Sequence, residues 1–179
     1  MGIELEILNQ IQKLHTPFGD WAMVFLSALG NNGAVWILFT GVLLAVPRMR
    51  RLGFVLAAAL CINFILCNMV LKPIVLRTRP CDVNLAVQLL IRRPLDFSFP
   101  SGHTSAGFTA VFALLYAGEK RLWKPTLILA GLIAFSRLYL YVHYPTDVLG
   151  GILVGVVSGW AGSRGADWIW KRRMGSSGV

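Results

Sequence analysis

Acidic side chains are scarce in this sequence: 8 Asp and Glu stand against 17 Lys and Arg, leaving a net charge of +9. The carboxylates are spread thinly, with Asp82, Asp96 and Asp147 far apart in the chain. No acidic cluster of the kind that holds a hard cation is evident, so neither a metal nor another cofactor is expected. Cysteine is rare as well. Cys61 and Cys67 lie in one apolar run and Cys81 has no evident partner, which excludes a disulfide framework. The beginning of the chain lacks a basic segment leading into a short apolar core and a small-residue cleavage site, so no cleavable signal peptide is expected. Glu6 stands where N-terminal acylation calls for Ser or Thr. Long basic runs are missing too. The positive excess falls in short clusters between apolar stretches, which points to membrane topology and anionic headgroups and away from nucleic acid.

What the chain does have is apolar mass. It is 56% hydrophobic with a mean hydropathy of +0.65 over 179 residues, too apolar for a soluble globule of this size. The composition reads as an all-α polytopic membrane bundle in a single domain, residues 1–173, with a disordered tail at 174–179. Residues 3–14 alternate Ile and Leu with polar side chains at helical spacing, which predicts an amphipathic interfacial helix within 1–15. Apolar segments at 18–29 and 34–46 flank the turn signal Gly30-Asn31-Asn32-Gly33. Each is short against the roughly 20 residues of a perpendicular crossing, so they form either a thin helical hairpin or a re-entrant pair. Further spans are expected at 52–71, 102–118, 126–142 and 148–170, making about six, with a long loop at 72–100. Trp168 and Trp170 read as interfacial anchors. Gly151, Gly155 and Gly159 repeat every four residues, a pattern for a homodimer seam or, in preference, for close packing within the bundle.

Basic clusters at 48–51, 120–124 and 171–173 fall on one side if all six segments cross, and short basic loops stay cytoplasmic. The 72–100 loop and the residues around His143 then share the extracytoplasmic face. That loop carries Lys72, Arg77, Arg79, Arg92 and Arg93, against the usual charge bias, so a functional demand for positive charge is expected there.

The stretch Ser136-Arg137-Leu138-Tyr139-Leu140-Tyr141-Val142-His143-Tyr144-Pro145-Thr146-Asp147 concentrates ionisable groups among apolar flanks, where they are costly and usually kept for a task. Pro145 suits the first position of a helix. Asp147 then falls in its first turn, four residues after His143, placed to orient the imidazole. A histidine so oriented beside an arginine is a nucleophile or base facing an anion. Ser101 and Gly102 precede a predicted helix, whose free N–H groups suit an anion, and His103 follows as a proton donor. The stretch Lys72 to Pro80 places a lysine and an arginine around a stiffened turn, Arg offering a planar fork and Lys a movable charge. Taken alone it reads in preference as snorkelling to lipid headgroups. Arg92 and Arg93 suit either a second phosphate or a solvated loop edge, and the apolar run 85–91 suits a surface lid.

Taken together, Lys72-x6-Arg79-Pro80, Pro100-Ser101-Gly102-His103 and Ser136-Arg137-x5-His143-x3-Asp147 resemble the tripartite signature of the type 2 phosphatidic acid phosphatase superfamily. That superfamily also includes glucose 6-phosphatase and the vanadium haloperoxidases. The resemblance implies that His143 is a nucleophile forming a phosphohistidine, oriented by Asp147, and that His103 is the general acid. It implies that Lys72, Arg79 and Arg137 hold the phosphoryl oxygens, completed by Ser101 and the Gly102 backbone. It further implies metal-independent hydrolysis of a lipid phosphate in a bacterial cytoplasmic membrane, with undecaprenyl diphosphate the substrate suggested by the chain's small size. The alternatives are phosphatidylglycerophosphate or phosphatidate hydrolysis, transfer to an acceptor other than water, and an inert lipid-binding role.

Overall fold

The computed structural model describes residues 2–175. The expectations for Trp170, for the side chains of the 171–173 cluster and for the tail beyond 175 lie outside the described set. Among the described residues there are nine α-helices and no strand. They are α1 (Gly2–Gln12), α2 (Pro17–Leu29), α3 (Ala34–Ala45), α4 (Arg50–Phe64), α5 (Lys72–Val75), α6 (Pro80–Val83), α7 (Gly102–Tyr116), α8 (Trp123–Tyr139) and α9 (Pro145–Gly175).

Local signals account for the helix starts. The Thr16 hydroxyl accepts the Gly19 N–H at 3.1 Å and Pro17 follows at the first turn, so α2 begins with a side-chain cap and a preset φ. Pro145 opens α9 in the same way, with Asp147 in the positive first turn. The Gly30–Gly33 signal does break the chain, but gently. Asn32 (φ 52°) and Gly33 (φ 71°) adopt left-handed backbone, and the axes of the flanking helices bend by 48°. The two segments therefore run on as one broken helix and do not fold back as a hairpin.

The expected loop at 72–100 is a loop only in part. α4 passes without interruption through a π-helical segment, Ile65–Leu71, into α5, so Lys72 is helical and 8% exposed. The helix stops where the backbone becomes left-handed, at Leu76 (φ 51°), and not where the first charge appears. π segments of this kind gather at functional positions.

α7 and α9 form the tightest pair. A Cβ at Gly151, Gly155 or Gly159 would lie 2.9, 2.6 or 2.7 Å from Ser101 O, Phe108 Cβ or Ala113 N, so the glycine repeat serves close packing inside one bundle. Around this seam Trp36, Leu43, Leu56, Ala110, Leu114 and Ile133 make the main core. Trp36 is thus a core residue, unlike the exposed Trp21, Trp160 and Trp168. A second cluster, Leu8, Cys81, Leu140, Tyr141, Val142 and Tyr144, packs α1 beneath the turn that carries His143.

Two helical stretches, Pro47–Val83 and Pro145–Ala166, are long and apolar enough to cross a membrane, and the bent pair Pro17–Leu29 with Asn31–Ala45 makes a third if counted as one span. Phe54, Phe64, Ile65, Met69, Leu149, Leu153 and Val157 are exposed along them, the arrangement expected where lipid is the outer solvent. α7 and α8, at 15 and 17 residues, are shorter.

Candidate active site

At the end of the bundle where α8 meets α9, the chain turns sharply over residues 140–144, with Tyr141 at φ 59°. This turn inverts the backbone so that His143 points inward, 1% exposed, while Pro145 starts the next helix. Its Nδ1 stands 3.5 Å from Asp147 Oδ2, within ion-pair range but beyond a normal hydrogen bond. Arg79 approaches the other ring nitrogen, with Nη1 3.2 Å from Nε2. A guanidinium can only donate, so Nε2 carries the lone pair and the proton resides on Nδ1, facing Asp147. Burial pushes the His143 imidazole down to about 3, with Asp147 opposing and the charges of Arg79 and Arg137 adding to the fall. The ring is therefore neutral near pH 7 and presents a free Nε2.

Asp147 is itself held from three sides. Ser98 Oγ donates to Oδ2 at 2.5 Å, the Tyr144 N–H donates to the same oxygen at 2.8 Å, and Arg77 Nη1 donates to Oδ1 at 2.6 Å. Every one of those contacts leaves the carboxylate ionised and fixed.

Arg79 is the hub of the site. Besides His143 it donates to Val142 O (2.7 Å), Asp96 O (2.8 Å) and Asp96 Oδ1 (2.7 Å). Lys72 Nζ pairs with the other oxygen of Asp96. One half-exposed carboxylate thus bridges two of the three cations assigned to phosphate. Partial burial raises the Asp96 carboxyl, and the Lys72 hydrogen bond with the Arg79 and Lys72 charges outweighs it, holding the group at about 2. Arg137, 3% exposed, reaches Ser27 Oγ through Nη1.

His103, at the start of α7, is partly exposed and its Nε2 lies 3.1 Å from Asn31 Oδ1, an acceptor that keeps the proton on Nε2. Its ring edge lies on Gly30, where a Cβ would come within 2.6 Å of His103 Cδ2, so the broken-helix turn must be bare at that position. Gly102 is adjacent to Lys72, since a Cβ there would sit 3.8 Å from Nζ.

Arg79, His103, Arg137 and His143 open into one cavity of about 650 Å³, shared with Asn31, Asp96, Arg92 and Arg93. Volumes of this order suit the head of a small ligand. Ser101 does not line it. Fully buried, it accepts the Thr104 hydroxyl at 3.0 Å, and its N–H donates to Asp147 O at 3.0 Å, tying the start of α7 to α9. Ser101 stands at the N-cap position of α7, but its side chain makes no capping hydrogen bond. Arg93 is paired with Asp82 at 2.9 Å, leaving Arg92 as the freer of the two.

Four contributors escaped the reading of the sequence. Asn31 passed as turn punctuation, Arg77 as loop charge and Asp96 as an isolated carboxylate, while Ser98 drew no notice. An Arg two residues before Arg79, and an Asp three residues before Phe99, carry no local signal for their partners.

Two histidines beside buried cations around one cavity, in a helical bundle with an apolar exterior, are an arrangement that suits a phosphoryl group. The model of the PAP2 superfamily matches residues 48–171. The chain is 34% identical over 155 residues to an undecaprenyl-diphosphatase of Sulfolobus acidocaldarius, covering 87% of this chain and 74% of that protein. It is 30% identical to a lipid A 4'-phosphatase of Bacteroides thetaiotaomicron, covering 88% and 74% respectively. Among solved structures, Aquifex aeolicus LpxE superposes with a TM-score of 0.74 at 28% identity, over 90% of this chain and 95% of that one. The chain belongs to the PAP2 superfamily and is an integral membrane lipid phosphatase.

Proposed function

We propose that the protein hydrolyses undecaprenyl diphosphate to the monophosphate through a phosphohistidine on His143. The observation that carries the chemistry is the arrangement at that ring: Nδ1 toward Asp147, Nε2 toward Arg79 and the cavity. Nε2 attacks the terminal phosphorus, the P–O bond to the leaving phosphate breaks, and His103 delivers a proton to the departing oxygen. Water then attacks the phosphohistidine, giving its proton to His103, and inorganic phosphate leaves. Arg79, Arg137 and Lys72 neutralise the equatorial oxygens, with Gly102 leaving room beside Lys72. Ser101 fixes the start of α7 from behind. The phosphate replaces the Asp96 carboxylate as partner of Lys72 and Arg79. No metal is required in this scheme, because Asp96 and Asp147 are already paired with cations.

The isoprenyl diphosphate is favoured by the relative named above and by Arg92, which lines the cavity beyond the reacting histidine and suits a second phosphate. The second reading is a glycerolipid or saccharolipid monophosphate, favoured by the lipid A 4'-phosphatase relative. Phosphate release measured in detergent across undecaprenyl diphosphate, phosphatidylglycerophosphate, phosphatidate and lipid A tests the choice. The highest kcat/KM is expected for the isoprenyl diphosphate, and a preference for any monophosphate overturns the substrate.

The bundle is proposed to cross the bacterial cytoplasmic membrane with the site at the outer leaflet. The mild bend between α2 and α3, and the seating of α1 beside the His143 turn, support counting Pro17–Ala45 as one broken crossing. Five crossings then replace the six expected, and the clusters at 48–51, 120–124 and 171–173 still share the cytoplasmic side. The exposed Ile3 and Ile7 of α1 suit the interface. Labelling of a single cysteine introduced at Leu95, which is fully exposed beside the site, checks the orientation. Reaction with an impermeant thiol reagent from outside intact cells is expected, in a background lacking the native cysteines.

A further inference from the structure

Arg77 does not line the cavity, yet it makes two ion pairs, as many as Asp96, which does. Its Nη1 donates to Asp147 Oδ1 and to Thr146 Oγ1, both at 2.6 Å, and its Nη2 donates to Glu4 Oε2 at 2.6 Å. The guanidinium also lies 4.0 Å above the Tyr144 ring. Glu4 belongs to α1, more than seventy residues away in sequence. It grips the same first turn of α9 a second time, accepting from the Thr146 N–H at 3.1 Å and the Thr146 hydroxyl at 2.6 Å. Asp147 is fully buried, and among the described residues Arg77 is the one cation paired with it, the His143 ring beside it being neutral.

The backbone is shaped for this reach. Leu76, a non-glycine residue, is held left-handed at φ 51°, which turns the chain just before Arg77, and the Arg77 carbonyl accepts the Ser98 N–H at 2.8 Å. Ser98 in turn donates its hydroxyl to Asp147. α1 is pressed into place by Leu8, fully buried among Leu140, Tyr141, Val142 and Tyr144, and by Asn9, which accepts from Tyr141 Oη at 2.8 Å.

From these contacts we infer that Arg77 and Glu4 are positioning residues for the reaction: Glu4 on the N-terminal helix aims Arg77, and Arg77 holds the Asp147 carboxylate against the His143 ring. A buried carboxylate without its cation either takes up a proton or rotates toward another donor. In both cases it ceases to fix the Nδ1–H tautomer, and Nε2 loses its aim at phosphorus. The N-terminal helix is thereby part of the active site, although nothing on it meets the substrate. This inference rests on the reading of His143 and Asp147 as the reacting pair.

The test is steady-state hydrolysis of farnesyl diphosphate in dodecylmaltoside by purified full-length variants, with size-exclusion profile and melting temperature recorded for each. Arg77→Met should lower kcat roughly a hundredfold, the scale of a small misplacement of a reacting group, with KM unchanged. Arg77→Lys, which keeps the charge but not the fork, should recover part of the loss. Glu4→Gln, which keeps the shape and the Thr146 contacts, should lower kcat less. It should have no further effect in the Arg77→Met background, because it acts through that side chain. A kcat for Arg77→Met within twofold of the parent, a loss confined to KM, or additive effects of the two substitutions overturns the inference. Should Arg77→Met fail to fold, Glu4→Gln decides: lowered kcat at constant KM supports it and unchanged kcat overturns it. His143→Ala is run in parallel. Persisting hydrolysis there defeats the underlying reading, whereas an inactive His143→Ala beside an unaffected Arg77→Met defeats this inference alone.

Discussion

The two histidines of the site are held in opposite ways. His143 is buried in a sharp turn, with a carboxylate toward one nitrogen and a guanidinium toward the other. His103 sits partly exposed at a helix start, with the Asn31 amide oxygen and the Ser27 backbone as hydrogen-bond partners and its ring edge on a bare glycine. A nucleophile, the role proposed for His143, must keep one tautomer and one line of attack, and a hold from several sides suits it. A proton carrier must meet a leaving oxygen and then a water, so a lighter hold suits it. A neutral His143 also suits its surroundings, because the charges of Arg79 and Arg137 would repel an imidazolium.

The contrast is broken most severely at the nucleophile. On the proposed phosphohistidine mechanism, His143→Ala should lower kcat by about 10^4-fold or more in folded protein. His103→Ala should cost about 10^2- to 10^4-fold on a monophosphate ester and less on a diphosphate, whose departing phosphate needs less protonation. Parallel kcat values on phosphatidate and farnesyl diphosphate measure that gap, and equal losses on both would remove His103 from the acid role.

A smaller effect is expected at Asn31. Asn31→Ala removes the oxygen that holds the His103 Nε2–H and should lower kcat by about tenfold, the scale of one lost hydrogen bond to a reacting group. Pre-steady-state bursts should show the loss in the first phosphoryl transfer on monophosphates.

The cation cluster predicts a third outcome. Activity should persist in excess EDTA, and orthovanadate should inhibit competitively as a mimic of the five-coordinate phosphorus. Activity lost to chelation and restored by Mg²⁺ rules the scheme out.

The smallest effects concern Asp96. Because its carboxylate occupies Lys72 and Arg79 before phosphate does, Asp96→Asn should lower KM severalfold, as removal of a competing internal partner does. Its pairing is present above the ordinary carboxyl value of 3.8 and is lost as pH falls from there through about 2, where the folded group takes its proton. The difference in melting temperature between Asp96→Asn and the parent should therefore be flat from pH 8 to pH 5. Half-exposure keeps that difference small.

Much of this site is legible in the sequence because its strongest relationships are local. His143, Pro145 and Asp147 lie within one turn of each other, so helix-start chemistry alone brings carboxylate to imidazole. Ser101, Gly102 and His103 sit together at another helix start, and the apolar composition by itself demands helices in a membrane. The spacing of three glycines likewise encodes the α7–α9 seam. What tertiary structure decided is everything that joins residues far apart. Asn31 meets His103 across 72 positions, Glu4 meets Thr146 across 142, and Asp96 reaches back 24 to Lys72. The helical continuation through Lys72 and the bend at Asn32 were decided there as well, where a left-handed Leu76 and a left-handed Asn32 end or bend the helix. A periodic pattern reports which face of a helix is apolar, but a charged side chain chooses its partner only after the bundle has placed several within its reach.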